Sequence, residues 1–517
     1  MDVGSPSEYD FRNTNGLVKC LNAIAQLPTP DELGAKHLAI NEVQRLVDHW
    51  LRGAFGSEQE ATATLLLGGS WHLKVGLADS DLDIVTLLPS FVTSELFFGS
   101  LFEFLRDDAP CVRKIVAMKK AAMPILAFQL NGIRVDLLFA RYSQPVVPKH
   151  VPIHSDQVLV GMDATSIRAL SVPRVASLVL ELVPNGSTFR SCLRIVRLWA
   201  KRRGVYSSKA GFLGGISWTV LVAFVCQMFP KAAVSSVVHR FFAIFSSWRW
   251  PTPVLISKPY EAPELESCAQ WSPQRNLHDR SHVMPIITPG FPAVNSSVNV
   301  NASTLRILQE EFARGKQIMD EMQAKGLSSP AVWHKLFAPT EFMVRYDHYV
   351  VVELRAGDED ALSEWANFVA SRTRKLVETL QHTSPIESVH PLPELVKPAL
   401  PLSSSSSGAG DTSDACGYFL IGYTVSSSSQ RALTPEPVAA AESCVLPAVR
   451  YFLGTELGSG CLAERTASMR AEIAYKRWDE LPDELFAHGG RKAAAGERAR
   501  FILSKAHSLN VSFGLAR

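Results

Sequence analysis

Three aspartates and one Gly-Gly-Ser step carry the chemistry legible in this sequence. Over 65–89 the chain reads LLLGGSWHLKVGLADSDLDIVTLLP. An apolar run meets Gly68, Gly69 and Ser70, and after a short connector Asp79, Asp81 and Asp83 alternate into a second apolar run at 84–88. In an extended chain alternate side chains share a face, so Asp81 and Asp83 point the same way. Like charges on one face repel unless a cation sits between them. Two hard oxygen ligands at this spacing suit Mg²⁺, which takes one or two carboxylates together with substrate phosphates. The Gly-Gly-Ser step offers backbone that can approach a phosphate and a hydroxyl to bind it. A third carboxylate follows. Asn131-Gly132 is a hairpin signal, and the alternating segment 133–139 behind it carries Asp136 among Ile133, Val135 and Leu137. An isolated Asp-x-Asp is more often a solvated strand end. The three features in this order point to metal-dependent nucleotidyl transfer on a palm.

The elements that must hold these residues have the right periods. Upstream, a polar stretch at 1–35 is broken by Pro28 and Pro30, with a short helix expected at 16–27. A clearer amphipathic helix is expected at 35–53, with Leu38, Val43, Leu46, Val47 and Trp50 on its apolar side. Inside the palm the pattern predicts a helix near 92–106 and a basic turn at 113–120. From about 148 the pattern turns helical. The segment FRSCLRIVRLWAKRR predicts a helix over 188–203, stopped by Gly204. Arg190, Arg194, Arg197 and Lys201 recur every three or four residues as one basic stripe. A solvated face is the bland reading. Beside an implied phosphate ligand, a triphosphate or RNA backbone is the sharper one. An amphipathic helix is expected at 304–325. Farther on, a strand at 346–354, a helix at 358–381 and a strand at 418–425 suggest a ferredoxin-like or RNA-recognition-like α+β unit. It has no RNA-recognition aromatic signature. Ser-rich stretches at 403–410 and 426–429 read as loops, and 491–517 as a basic tail.

The bulk numbers bound the rest. At 517 residues, 47% apolar and 20% charged, the chain has ample material for two to four domains. Its net charge of +2 asks for local basic patches, not a global field, if nucleic acid is the partner. Eight scattered cysteines with no Cys-x-x-Cys read as reduced intracellular thiols, with no zinc site. His278 and His282 stand four apart, but Pro285 and Pro289 argue against the helix a metal pair would need. The apolar run 212–229 approaches membrane-span length; Gly214, Gly215, Ser217 and Thr219 break it into a Gly-rich loop and a buried helix from Ser217. No secretory leader is expected, and the sequons at Asn185, Asn295 and Asn301 read as incidental.

On these residues the chain resembles the nuclear eukaryotic poly(A) polymerase family over roughly 38–383, and less fully as far as 486. The stretches that carry it are GGSWHLKVGLADSDLD, NGIRVDLLFAR, LVPNGSTFRSCLRIVRLWAKRRGVYSSKAGFLGGISW, FSSWRWPTPVLI and DRSHVMPIITPGFP, with AYKRWDELPDELF nearer the end. The resemblance implies an α+β protein: a nucleotidyltransferase palm, a helical middle domain and an RRM-like RNA-binding domain. The expected divisions are 1–60, 61–147, 148–337, 338–490 and a tail at 491–517. It implies template-independent addition of AMP from ATP to an RNA 3′ end with two Mg²⁺ or Mn²⁺ ions, in the nucleus, alongside cleavage and polyadenylation factors. Asp81, Asp83 and Asp136 match the catalytic, metal-holding carboxylates. Gly69 and Ser70 match the phosphate-binding step, Tyr206 a triphosphate-contacting tyrosine, and Gly215 and Ile216 the edge of the nucleotide pocket. Arg194 and Lys201 are the expected RNA contacts. Four positions depart from the family. Ala127 stands where it carries a lysine, Ser171 and Ser208 where it carries asparagines, and Arg197 where it carries a lysine. These departures bear on nucleotide selectivity, so a transferase that prefers UTP or tolerates several nucleotides is one alternative. A silent RNA-binding subunit is the other.

Overall fold

A computed structural model describes residues 6–56, 61–119, 123–265, 268–324, 330–398, 415–426, 437–458, 465–486 and 490–514. Lys120 and most of the two Ser-rich stretches lie outside the described residues. The chain divides into two compact units. One comprises Met1–Trp199, Gly214–Val298 and Phe312–Phe337; the other comprises Ala200–Leu213, Asn299–Glu311 and Ala338–Arg517.

The first unit is built on a mixed five-stranded sheet in the order β1-β2-β5-β4-β3. Its strands are β1 Thr64–Leu67, β2 Leu82–Leu88, β3 Val112–Met118, β4 Ile125–Leu130 and β5 Ile133–Arg141. Only β2 and β5 pair in parallel. These two central strands are covered on both faces, which explains their near-continuous apolar sequence. On one face Leu82, Ile84, Val135 and Leu137 pack with Val43, Leu46, Val47 and Trp50 of the Pro30–Phe55 helix. On the other, Val85, Leu87, Leu138 and Ala140 meet Ile167 and Leu170 of the Ala164–Leu182 helix. The expected hairpin is present: Asn131 and Gly132 both have positive φ, as a two-residue turn with the twist of its strands requires.

Three local expectations change. The Pro30–Phe55 helix starts five residues early, because Thr29 closes a capping box with Glu32 and Pro30 takes the first helical position. Its buried stripe holds Lys36, while Leu38 is 71% exposed. The basic segment expected as a turn is instead the edge strand β3. Arg113 and Lys114 are exposed there beside a register shift, and charge on an edge discourages pairing with other chains. The helix expected near 92–106 occurs as Ser94–Leu96, a π turn over Phe97–Leu101 and Phe102–Asp107.

Helices complete this unit around an aromatic cluster. Trp199, Trp218, Phe241, Phe242 and Phe312 meet with ring centroids 4.9–6.4 Å apart. The Gly215–Met228 helix begins two residues before the expected Ser217. Among the described residues no helix is long and apolar enough to cross a membrane. The helical turn at His278 spans only Leu277–Arg280, and His282 Nδ1 accepts a hydrogen bond from Trp271 Nε1 at 3.2 Å.

The second unit carries an antiparallel four-stranded sheet in the order β7-β8-β6-β9. Its strands are β6 His348–Ala356, β7 Ile386–Pro391, β8 Ala415–Val425 and β9 Arg470–Arg477. Helices Glu359–Gln381 and Pro437–Tyr451 follow its first and third strands, which gives the βαββαβ order of a ferredoxin-like fold. Asp358 caps the first of these helices by accepting from the Ala361 N–H. Both helices pack on one face. The opposite face is covered by Phe342, Tyr346, Leu481, Leu485 and Phe486, which bury Tyr349 and Tyr418. Bases cannot stack on those two rings as they lie here.

Candidate active site

Asp83 and Asp136 are register partners on the parallel strands β2 and β5. Pairing fixes their side chains on one face, the face that the Ala164–Leu182 helix covers farther along both strands. Asp81 immediately precedes β2 and shares their parity. The turn after β1 closes over them: the Gly68 N–H donates to Asp83 O at 2.9 Å. Gly69 has φ +53°, and a Cβ there would lie 1.7 Å from Asp83 Oδ2. The position therefore needs glycine twice over, for its left-handed backbone and for the carboxylate lying against it. Ser70 follows in the short Gly69–His72 helical turn, which packs on the Ala164–Leu182 helix and on the helix that begins at Gly215 and Ile216. Ser70, Gly69, Gly215, Ile216 and the three aspartates are thus gathered within the first unit.

The electrostatics follow from this crowding. Burial, then the neighbouring charges of Asp81 and Asp136, raise the Asp83 carboxyl to a pKa of about 7, with Arg197 pulling it back down. Among the described residues no three His, Cys, Asp or Glu side chains are already gathered as a group that could hold a metal ion. The three aspartates are an open set of hard oxygen donors. Asp83 is held half-protonated near neutrality by burial first and by the other two second, and a divalent cation would relieve both. The donor chemistry of these residues suits such an ion, with Asp83 and Asp136 in register, although the three side chains are not already drawn together as a ligand group.

The basic stripe on the Gly186–Arg202 helix is neither solvated nor simply open to a ligand. Asn185 Oδ1 caps this helix, accepting from the N–H groups of Ser187 and Thr188. Arg190 Nε then donates to Leu73 O at 3.1 Å, Arg194 Nη2 to Lys74 O, and Arg197 Nη1 to Val75 O at 3.4 Å. Helical spacing on one element is matched to three successive carbonyls on the other. Arg194, expected at RNA, is half-buried against this loop. Arg197 also faces Asp83 electrostatically.

The departures from the family pattern have definite places. Ala127 on β4 is the direct cross-strand partner of Asp136. Ser171 Oγ donates to Arg168 O of its own helix at 2.6 Å, so its single donor is already used. Tyr206, Lys201 and Ser208 belong to the second unit. There the Lys201 ammonium lies 5.8 Å from the Tyr206 ring centroid, and Asn299 Nδ2 donates to Ser208 Oγ at 3.1 Å. Sequence reasoning missed Lys36, whose ammonium donates to Leu77 O and Ser80 O just ahead of Asp81. Its signal was present: a lysine on the apolar stripe that continues through Ala39, Val43, Leu46 and Trp50.

A mixed palm sheet with two aspartates in register on its parallel pair, beside a Gly-Ser turn, is the architecture of a nucleotidyltransferase fold. Three family models refine this. Residues 1–183 match the poly(A) polymerase nucleotidyltransferase domain, 188–339 the poly(A) polymerase central domain, and 341–404 the poly(A) polymerase predicted RNA binding domain. The chain belongs to the poly(A) polymerase family. It is 35% identical over 401 residues to nuclear poly(A) polymerase 1 of Arabidopsis thaliana, an alignment covering 76% of this chain and 55% of that protein. With the poly(A) polymerase of Dictyostelium discoideum it shares 31% identity over 402 residues, 76% of this chain and 49% of the relative. The chain thus spans about half the length of these relatives. Among solved structures, a cytoplasmic RNA terminal U-transferase is 15% identical with a TM-score of 0.44, covering 64% of this chain and 99% of its own.

Proposed function

We propose that this chain is a polynucleotide adenylyltransferase, which adds AMP from ATP to RNA 3′ ends and releases pyrophosphate. The observation that carries this is the Asp83–Asp136 register pair with Asp81 beside it and Gly69 against Asp83, in a chain of this family. Asp81, Asp83 and Asp136 would hold two divalent ions, Mg²⁺ or Mn²⁺. Bound there, such ions lower the barrier to attack by the RNA 3′-hydroxyl and neutralise the departing pyrophosphate. The chain's own residues do the positioning. Ser70 and the Gly69 backbone take the phosphates, Arg197 adds a cation beside Asp83, and Gly215 and Ile216 border the nucleotide. Tyr206 is assigned to the triphosphate and Lys201 to RNA. The names of the Arabidopsis relatives support a nuclear location. Cleavage and polyadenylation factors would be the partners of such an enzyme.

One observation favours relaxed nucleotide choice within this activity. The Ser171 hydroxyl is engaged by Arg168 O, and Ala127 offers only a methyl opposite Asp136. A silent subunit is the weaker reading, since a scaffold gains nothing from clustering three carboxylates whose mutual repulsion it must bear. Extension of an oligoadenylate primer with each nucleotide, under Mg²⁺ and under Mn²⁺, tests all three. AMP addition supports the proposal. UMP or indiscriminate addition supports the relaxed reading, and folded protein that adds nothing overturns both.

A further inference from the structure

The connector between Ser70 and Asp81 is gripped from outside through its carbonyls. Arg190, Arg194 and Arg197 hold those of Leu73, Lys74 and Val75. The second half is held from elsewhere. Lys36 Nζ donates to Leu77 O at 3.3 Å and to Ser80 O at 2.7 Å, and Arg134 Nη2 donates to Asp79 O at 2.5 Å. Five cations therefore meet six carbonyls within 73–80. Water or a neutral amide would satisfy such groups equally well. A lysine only 5% exposed, bonded to carbonyls and not to a carboxylate, is an expensive way to do it.

The connector passes its position to both ends. The Val75 N–H donates to Ser70 O at 3.0 Å, Leu77 N–H donates to Ser80 Oγ at 2.8 Å, and a Cβ on Gly76 would stand 3.5 Å from Ser70 Oγ and 3.6 Å from Ser80 Oγ. A shift of this loop moves the phosphate-binding serine and Asp81 together. We propose that Lys36 and Arg134 on one side, with Arg190 and Arg194 on the other, are positioning residues. They form a cationic collar that sets Ser70 and Asp81 in place before metal and nucleotide arrive. The proposal rests on the nucleotidyl-transfer reading of the same site.

The sign of one measurement separates the collar from background charge. As charge alone, a cation near Asp81 repels a divalent ion, so its removal tightens metal binding. As a positioning residue, its removal loosens the site and weakens binding. Mn²⁺ titrations followed by electron paramagnetic resonance, on the full chain, compare wild type with Lys36→Met and Arg134→Met. Melting curves confirm that each variant is folded. The collar predicts Mn²⁺ binding weaker by at least about threefold in both, from charged hydrogen bonds lost, and recovery in Arg134→Lys. Affinity unchanged within about twofold, or tighter, in a folded variant overturns it. Should Lys36→Met not fold, the exposed Arg134 decides alone. Wild-type chain that binds Mn²⁺ but extends no oligoadenylate primer overturns the transferase reading and leaves the collar comparison intact. Wild-type chain that binds no Mn²⁺ overturns both.

Discussion

A carboxyl with a pKa near 7 makes the metal-free protein sensitive to pH in a direction that can be worked out. Asp83 is raised from 3.8 to about 7 by burial and by Asp81 and Asp136. Between those values the folded chain keeps a proton that the unfolded chain has lost. Since ∂ΔG(unfold)/∂pH follows the protons bound in U minus those in N, the slope is negative. Stability contributed at this site is present below about pH 4, falls as pH rises through 4 to 7, and is flat above. The slope reaches at most about 1.4 kcal/mol per pH unit, and over the roughly three-unit window the ceiling is about 4 kcal/mol. Buried histidines such as His390, kept neutral by burial, have the opposite slope. The quantity to read is therefore the difference between wild type and Asp83→Asn in metal-free urea denaturation from pH 4 to 8. Wild type should lose ground to the variant across that window. Calorimetry gives the complementary figure: Mg²⁺ binding should release about 0.9 proton at pH 6 and about 0.1 at pH 8. Parallel stability curves for the two proteins, or proton release that does not change with pH, would show that Asp83 is an ordinary carboxylate.

Four further outcomes follow from the same geometry. Asp81→Asn and Asp136→Asn should each lower kcat by more than about a hundredfold, about 2.7 kcal/mol of transition-state stabilisation, with melting temperatures held in the presence of EDTA. Gly69→Ala should cost a similar factor, because a Cβ meets Asp83 Oδ2 and the positive φ adds about 1–2 kcal/mol of strain; primer-extension rates and a thermal melt check both parts. Ser171→Asn combined with Ala127→Lys should sharpen ATP over GTP by roughly 2- to 13-fold per hydrogen bond regained, read as a ratio of kcat/KM. Lys201→Glu should weaken RNA binding and flatten its salt dependence, measured by anisotropy over a salt series.

Much of the site could be read from local pattern, because pairing register is a local property of strands. Asp83 and Asp136 were found by alternation and by the Asn131-Gly132 turn, and both signals survive into the β2–β5 register. Positions fixed by distant contacts were harder to see. Arg113 and Lys114 look like a turn until β4 supplies a partner and makes β3 an edge. The α-helical spacing of Arg190, Arg194 and Arg197 was plain, yet their ligands, the carbonyls of residues 73–75, lie more than a hundred residues away. Lys36 displaced Leu38 from the buried stripe for a reason only the folded loop provides, namely the carbonyls of Leu77 and Ser80. In the second unit, the buried Tyr349 and Tyr418 reflect segments from both ends of the sheet folding back over it.

The most direct test is single-nucleotide addition to a labelled oligoadenylate primer, with ATP and Mn²⁺ or Mg²⁺, by wild type and Asp136→Asn side by side. Wild type should lengthen the primer with release of pyrophosphate, and Asp136→Asn should fall below about a hundredth of that rate. An Asp136→Asn chain that extends the primer as fast as wild type would place the metal site, and with it the transfer chemistry, somewhere other than the β2–β5 carboxylates.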